Sequence, residues 1–267
     1  MTWERKRVLV IAKAAPKTSK KHGDCVCTAG ITEEGEFIRL FPITLDFWRK
    51  GVGFRKFDWI EVECEKYDDL QKRKESYHIK PGSAITVVDD SLNQKKKNRA
   101  DWESRSKALF PLRSSSLEEL QTAFENDRTS LGLIRVKDLI DFYKTKELDE
   151  EEKEAHKSYQ MYFDIQNPRM ELKKTWVLHQ IPHIFKYNFT CEGDSCRGHD
   201  MTCEDWELFE AYRKWPEYYG TEEKTWEKLQ DRFHTKMKEA DLHFLVGTHS
   251  KWPIWMIIGL FYPPRID

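Results

Sequence analysis

Three cysteines and a histidine fall within the short stretch CEGDSCRGHDMTC, residues 191–203. Their spacing is Cys191-x4-Cys196-x2-His199-x3-Cys203. Thiolates and a neutral imidazole are the ligands zinc takes, and Cys3His is a common tetrahedral set. Gly193 and Gly198 let such a loop fold back on itself. Thr202 and Asp205 have the spacing of a capping box, which predicts a helix beginning around Cys203. A thiol in a first helical turn is favoured as the thiolate. A site with four protein ligands leaves no position for water and is structural rather than catalytic. Two other readings compete: Cys203 as a small hydrophobe in the core, and Cys191 with Cys196 as a redox pair. The spacing is neither that of a retroviral knuckle nor that of a two-Cys, two-His finger.

Acids crowd the same region. Glu204, Asp205 and Glu207 follow the cluster, and Asp24 lies far upstream. As catalytic candidates they would supply a general base or a second metal site. The competing reading is a first helical turn, where acids face the positive end of the dipole. On an ideal helix Glu204 and Glu207 share a face and Asp205 lies off it. His179, His183 and His249 could form another metal site, although a hydrogen-bonded structural histidine is the simpler fate for each. Asp164 with Glu171 and Lys173 is the nearest approach to a metal-nuclease signature, at too short a separation. No nucleophile elbow, glycine-rich dinucleotide loop or H-E-x-x-H occurs.

Two basic stretches stand out. KAAPKTSKKHGD carries Lys13, Lys17, Lys20, Lys21 and His22, and NQKKKNR carries Lys95, Lys96, Lys97 and Arg99. Lysines with nearby hydroxyls and backbone donors suit phosphate contacts. The glycine spacing of a P-loop is missing, so a nucleoside triphosphate is weakly supported. The formal net charge is −1, so any basic footprint is local. Ten Trp, 10 Tyr and 15 Phe could fill a core or stack on bases.

The elements that must position these groups read as follows. Composition is 39% hydrophobic and 34% charged over 267 residues, which suits a globular chain with a heavily ionised surface. No apolar run is long enough to span a bilayer, and six cysteines are too few for a disulfide scaffold. The expectation is a cytoplasmic protein. RVLVIAK, DCVCTAGI, EFIRLFPI, FDWIEVECEKY and SAITVVDD read as strands, with TEEG as a hairpin turn. They predict a curled sheet or small barrel. SLEE at Ser116 predicts a capped helix. LHFLVGTHS and IWMIIGLFY are the most apolar strands and are expected centrally in a sheet. No internal repeat is visible.

The expected fold class is α+β, divided into a mainly β lobe (1–92), a helical and charged connection (93–160) and an α+β lobe pinned by zinc (161–267). One continuous domain is the alternative. Three segments are KAAPKTSKKHGDCVCTAG…FIRLFPI…FDWIEVE, FKYNFTCEGDSCRGHDMTCEDWE and FLVGTHSKWPIWMIIGLFYPP. Together they resemble a family of uncharacterised prokaryotic proteins over nearly the whole chain. That resemblance implies no activity and no site residues. The leading functional expectation is a zinc-stabilised nucleic-acid-binding protein that uses basic loops and exposed aromatics. A metal-dependent hydrolase or transferase on nucleic acid or nucleotides is the second expectation, and a non-enzymatic protein-interaction module the third.

Overall fold

The computed structural model describes residues 2–19, 22–45, 53–67, 73–93, 95–96, 99–145, 181, 183–194, 196–249 and 254–265. The N-terminal strands are β1 (Glu4–Lys13), β2 (Lys17–Ser19), β3 (Gly23–Thr32), β4 (Phe37–Thr44), β5 (Trp59–Lys66), β6 (Ser76–Ile79) and β7 (Ile85–Asp89). β1-β3-β4-β6-β5 run side by side, and β5 pairs back onto β1, which closes the ring. β4 and β6 are parallel, and the other pairings of the ring are antiparallel. β2 and β7 extend its margins on β3 and β5. The β3–β4 hairpin turns at Thr32-Glu33-Glu34-Gly35 as expected, with Gly35 at φ +80°.

A two-residue ladder follows, β8 (Lys95–Lys96) with β9 (Arg99–Ala100), and then α1 (Trp102–Leu109). β10 (Arg113–Ser114) leads into α2 (Leu117–Asp127). Ser116 caps α2 through its hydroxyl, as the sequence predicts, and Glu119 reaches back to the Ser115 N–H at 2.7 Å. β11 (Leu131–Lys144) follows immediately. It lies inside the stretch expected to connect two lobes, yet it is the longest strand of the second sheet.

The second sheet continues with β12 (Phe185–Cys191), β13 (His199–Cys203), β14 (His243–Thr248) and β15 (Trp255–Phe261). Its order is β11-β12-β13-β15-β14, and β14 pairs back onto β11. β13 and β15 are parallel, meeting at Cys203 and Ile257. When each ring is numbered in its own chain order, both read one-two-three-five-four and return to one. In both, strands three and five are parallel. The chain is therefore two five-stranded Greek-key barrels of the same connectivity. α3 (Trp206–Lys214), α4 (Pro216–Tyr219), α5 (Glu222–Gln230), a π turn (Asp231–Thr235) and α6 (Lys236–Glu239) fill the passage between strands three and four of the second barrel. The expected α+β class holds, with a barrel-like N-terminal sheet and an α+β C-terminal part.

Strand parity explains the core. On β1, Val8 and Val10 point into the first barrel with Ile38, Leu40, Ile60 and Val62. Leu9 and Ile11 point outward and meet Leu131, Leu133, Leu245, Ile258 and Phe261 of the second barrel. Both faces of β1 are buried, so its sequence is an unbroken apolar run. The second barrel has its own interior, where Phe142, Phe185, Tyr187 and Phe244 pack against Leu208, Leu229, Phe233 and Met237 from the helices. No helix among the described residues is long and apolar enough to cross a membrane.

Candidate metal centre

Cys191 is the last residue of β12 and His199 the first of β13, so the cluster occupies one hairpin loop. The ligand atoms of Cys191, Cys196 and His199 lie within 4.8 Å of one another. His199 Nε2 is 3.3 Å from Cys191 Sγ and 3.2 Å from Cys196 Sγ. The Cys191 N–H points at Cys196 Sγ at 3.3 Å. Burial raises the Cys191 thiol, and the nearby Leu117 and Gly193 backbone N–H groups offset part of that rise. Backbone donors aimed at sulfur are what a bound thiolate requires from its surroundings. Burial keeps His199 below its usual pKa, which favours the neutral ring that ligation needs. These donors fit a soft divalent ion such as zinc, and among the described residues no other group of three ligands converges.

The loop rests on the start of α2. A Cβ on Gly193 would come 2.5 Å from the Ser116 Cβ, so only glycine lets the hairpin approach this closely. Glu118, in the first turn of α2, is drawn in as well. Its Oε2 is 3.8 Å from Cys191 Sγ and its Oε1 is 3.7 Å from His199 Nε2. Spacing could not reveal Glu118, because it lies 73 positions from Cys191. SLEE signals a helix start and carries no signal for a metal.

Cys203, expected as the fourth ligand, lies elsewhere. It is fully buried in the core of the second barrel beside Phe185, Leu208 and Ile257. Burial raises its thiol well above the ordinary value, as for a small hydrophobe. The expected helix start at Cys203 also moves. Cys203 ends β13, and Asp205 is itself the N-cap of α3, accepting from the Leu208 N–H at 3.1 Å. Its other oxygen accepts from the Leu260 N–H at 3.2 Å. Burial pushes Asp205 up to about 6, with Lys56 opposing and Glu207 adding to the rise.

The remaining acids do not converge on a metal. Glu204 is buried and precedes the α3 cap, so it shares no helical face with Glu207, which is exposed. Glu204 Oε1 takes Lys17 Nζ at 2.9 Å. Asp24 is on β3, beside Thr18. His183 bonds Glu222 at 3.1 Å and faces the Thr145 carbonyl at 3.3 Å. His249 hydrogen-bonds Ile254 through its backbone, and His179, Asp164, Glu171 and Lys173 lie outside the described residues.

Of the basic candidates, Lys17 stands in the loop between strands one and two of the first barrel, and its side chain is 60% exposed. Lys20, Lys21 and Lys97 lie outside the described residues. Lys95, Lys96 and Arg99 belong to the β8–β9 ladder. Lys13 turns inward, over the Trp206 ring at 4.8 Å, and burial lowers its pKa. The aromatics are buried or half-buried, apart from Trp3, Tyr218 and Tyr219, the exposed ones among the described residues.

Sequence reasoning missed an arginine joint between the barrels. Arg39, buried in β4, donates to the Ser130 carbonyl at 3.0 Å, and Arg73 donates to the Thr248 carbonyl at 3.3 Å. Glu75 answers by accepting the Ser130 N–H at 2.9 Å and hydroxyl at 2.6 Å.

Comparison with solved structures finds similar chains at low identity. One belongs to a replication protein A heterotrimer bound to single-stranded DNA, at 8% identity and a TM-score of 0.39. All of this chain aligns there, over 50% of that one. Another is a murine DNA-binding protein bound to double-stranded DNA, at 9% identity and a TM-score of 0.34, with 99% of this chain and 100% of that one covered. No curated protein matches the chain. Two family models do match, both described as domains of unknown function: DUF8758 over residues 4–111 and DUF8757 over residues 113–267. They meet where the first barrel gives way to the second. The DUF8757 model spans more than half of the sequence, and the chain belongs to that family.

Proposed function

We propose that this is a cytoplasmic nucleic-acid-binding protein whose second barrel is stabilised by zinc at Cys191, Cys196 and His199. The observation that carries the reading is the doubled five-stranded Greek-key barrel. Barrels of this kind bind oligonucleotides or oligosaccharides with the face of strands two and three and with the loops joining strands one to two and four to five. In the first barrel the one-to-two loop is the stretch with Lys17, Lys20 and Lys21. Its four-to-five loop carries Lys72, Arg73 and Lys74. The one-to-two connection, with three lysines and no acid, thus falls where such barrels meet a backbone. An otherwise neutral chain keeps its positive charge local in this way. The β8–β9 ladder with Lys95, Lys96 and Arg99, with Lys97 between them in sequence, adds a further basic element.

The test is binding of labelled single-stranded DNA and RNA across a salt series. The log–log slope should be negative, and neutralising Lys17, Lys20 and Lys21 together should reduce it by roughly 0.7 per lost phosphate contact. Binding independent of salt, or no binding at low salt, would reject the proposal.

A further inference from the structure

We infer that Glu118 is the fourth protein ligand of the metal centre and the exchangeable one, an inference resting on the reading of this cluster as a zinc site. With Zn–S near 2.3 Å and Zn–N or Zn–O near 2.0–2.1 Å, ligand atoms around a tetrahedral ion stand roughly 3.3–3.8 Å apart. The sulfur–nitrogen pairs here are 3.3 and 3.2 Å apart. Glu118 comes up to two of these ligands, with Oε2 3.8 Å from Cys191 Sγ and Oε1 3.7 Å from His199 Nε2, and a turn of its side chain has to bring one oxygen within reach of Cys196 as well.

The carboxylate is held for the purpose. Ser116 and Glu119 fix the first turn of α2 from both sides. The Leu117 N–H lies near the Cys191 sulfur, so backbone and side chain of consecutive residues face one point. Glycine at 193 lets the hairpin close onto that turn. Glu118 therefore supplies what Cys203 does not, and it comes from outside the hairpin. Zinc would then tie α2 to the β12–β13 loop. Among two sulfurs and an imidazole, the carboxylate is the hard ligand. It is also 40% exposed, so water can replace it.

The experiment is zinc content by elemental analysis and zinc affinity by chelator competition, with cobalt-substituted spectra. The full-length wild type is compared with Glu118→Gln, Glu118→Cys and Glu192→Gln. The wild type should hold one zinc per chain. Glu118→Gln should still take up zinc, but at least about 10-fold more weakly. Glu118→Cys should restore affinity and add a third thiolate's charge-transfer absorbance to the cobalt spectrum. Glu192→Gln removes one negative charge from the same loop, from a carboxylate paired with Arg135, and should leave affinity unchanged. The inference is overturned if Glu118→Gln binds as tightly as wild type, if Glu118→Cys adds no thiolate band, or if Glu192→Gln weakens binding equally. A wild type that holds no metal and shows freely reactive Cys191 and Cys196 would instead refute the zinc reading itself.

Discussion

Asp205 shows how one buried carboxyl can bias the stability of the whole chain. Its folded-state pKa is about 6, against an ordinary 3.8, because burial penalises the charge. The folded chain thus holds this proton more tightly than the unfolded chain. The resulting stabilisation is full below about pH 4 and is lost as pH rises through about 6. A shift of that size corresponds to roughly 3 kcal/mol. In urea unfolding, the stability of wild type minus that of Asp205→Asn should therefore fall between about pH 4 and pH 7 and then stay level. A difference that is flat over this window would show that Asp205 is ionised in the fold. Residue type made the Cys191, Cys196 and His199 set legible, but direction decided Cys203. Four residues along a strand span about 13 Å, so His199 at the barrel mouth and Cys203 in its floor cannot share an ion. A helix beginning at Cys203 with Thr202 as its cap, as the capping-box pattern suggested, would have left a loop free to fold His199 back toward it. The true cap is Asp205, three residues later.

At the level of elements, α2 links the second barrel to the loop of the candidate metal centre. A Cβ at position 132 on β11 would meet Leu120 of α2 at 2.3 Å. Gly132→Ala should push the helix outward and cost roughly 1–3 kcal/mol. Because α2 carries Glu118, the same variant should also bind zinc more weakly, although it touches no ligand. Denaturant midpoints and chelator competition on one preparation check both effects, and a loss of stability with unaltered zinc affinity would separate helix from metal. Most strands were legible because apolar periodicity and turn residues agree locally, as in the Thr32–Gly35 hairpin. The apolar runs of β1, β14 and β15 correctly signalled burial on both faces. Their cause was hidden: Leu9, Leu245 and Ile258 are covered by another barrel rather than by helices on a broad sheet. Closure of the first ring fits the small barrel expected there, whereas closure of the second was hidden, since β11–β14 pair across a long sequence separation.

On the scale of the molecule, the two barrels share one apolar seam, closed by Arg39 and Arg73 reaching to Ser130 and Thr248. They should unfold together. Calorimetry should give one transition whose calorimetric and van't Hoff enthalpies agree. Ile258→Ala, at the seam, should lower that transition by about 2–4 kcal/mol of stability without splitting it. Two resolved transitions in the wild type would mean that the seam is weaker than its burial implies. The same seam sets a schedule for synthesis. The outward face of β1, with Leu9 and Ile11, is made about 250 residues ahead of Ile258 and Phe261, which cover it. At about 5–20 residues per second, the nascent first barrel keeps that face wet for roughly 10–50 s. Through that interval it is a sticky surface awaiting its cover, and a chaperone that shields apolar strands would serve this chain most while translation is still under way.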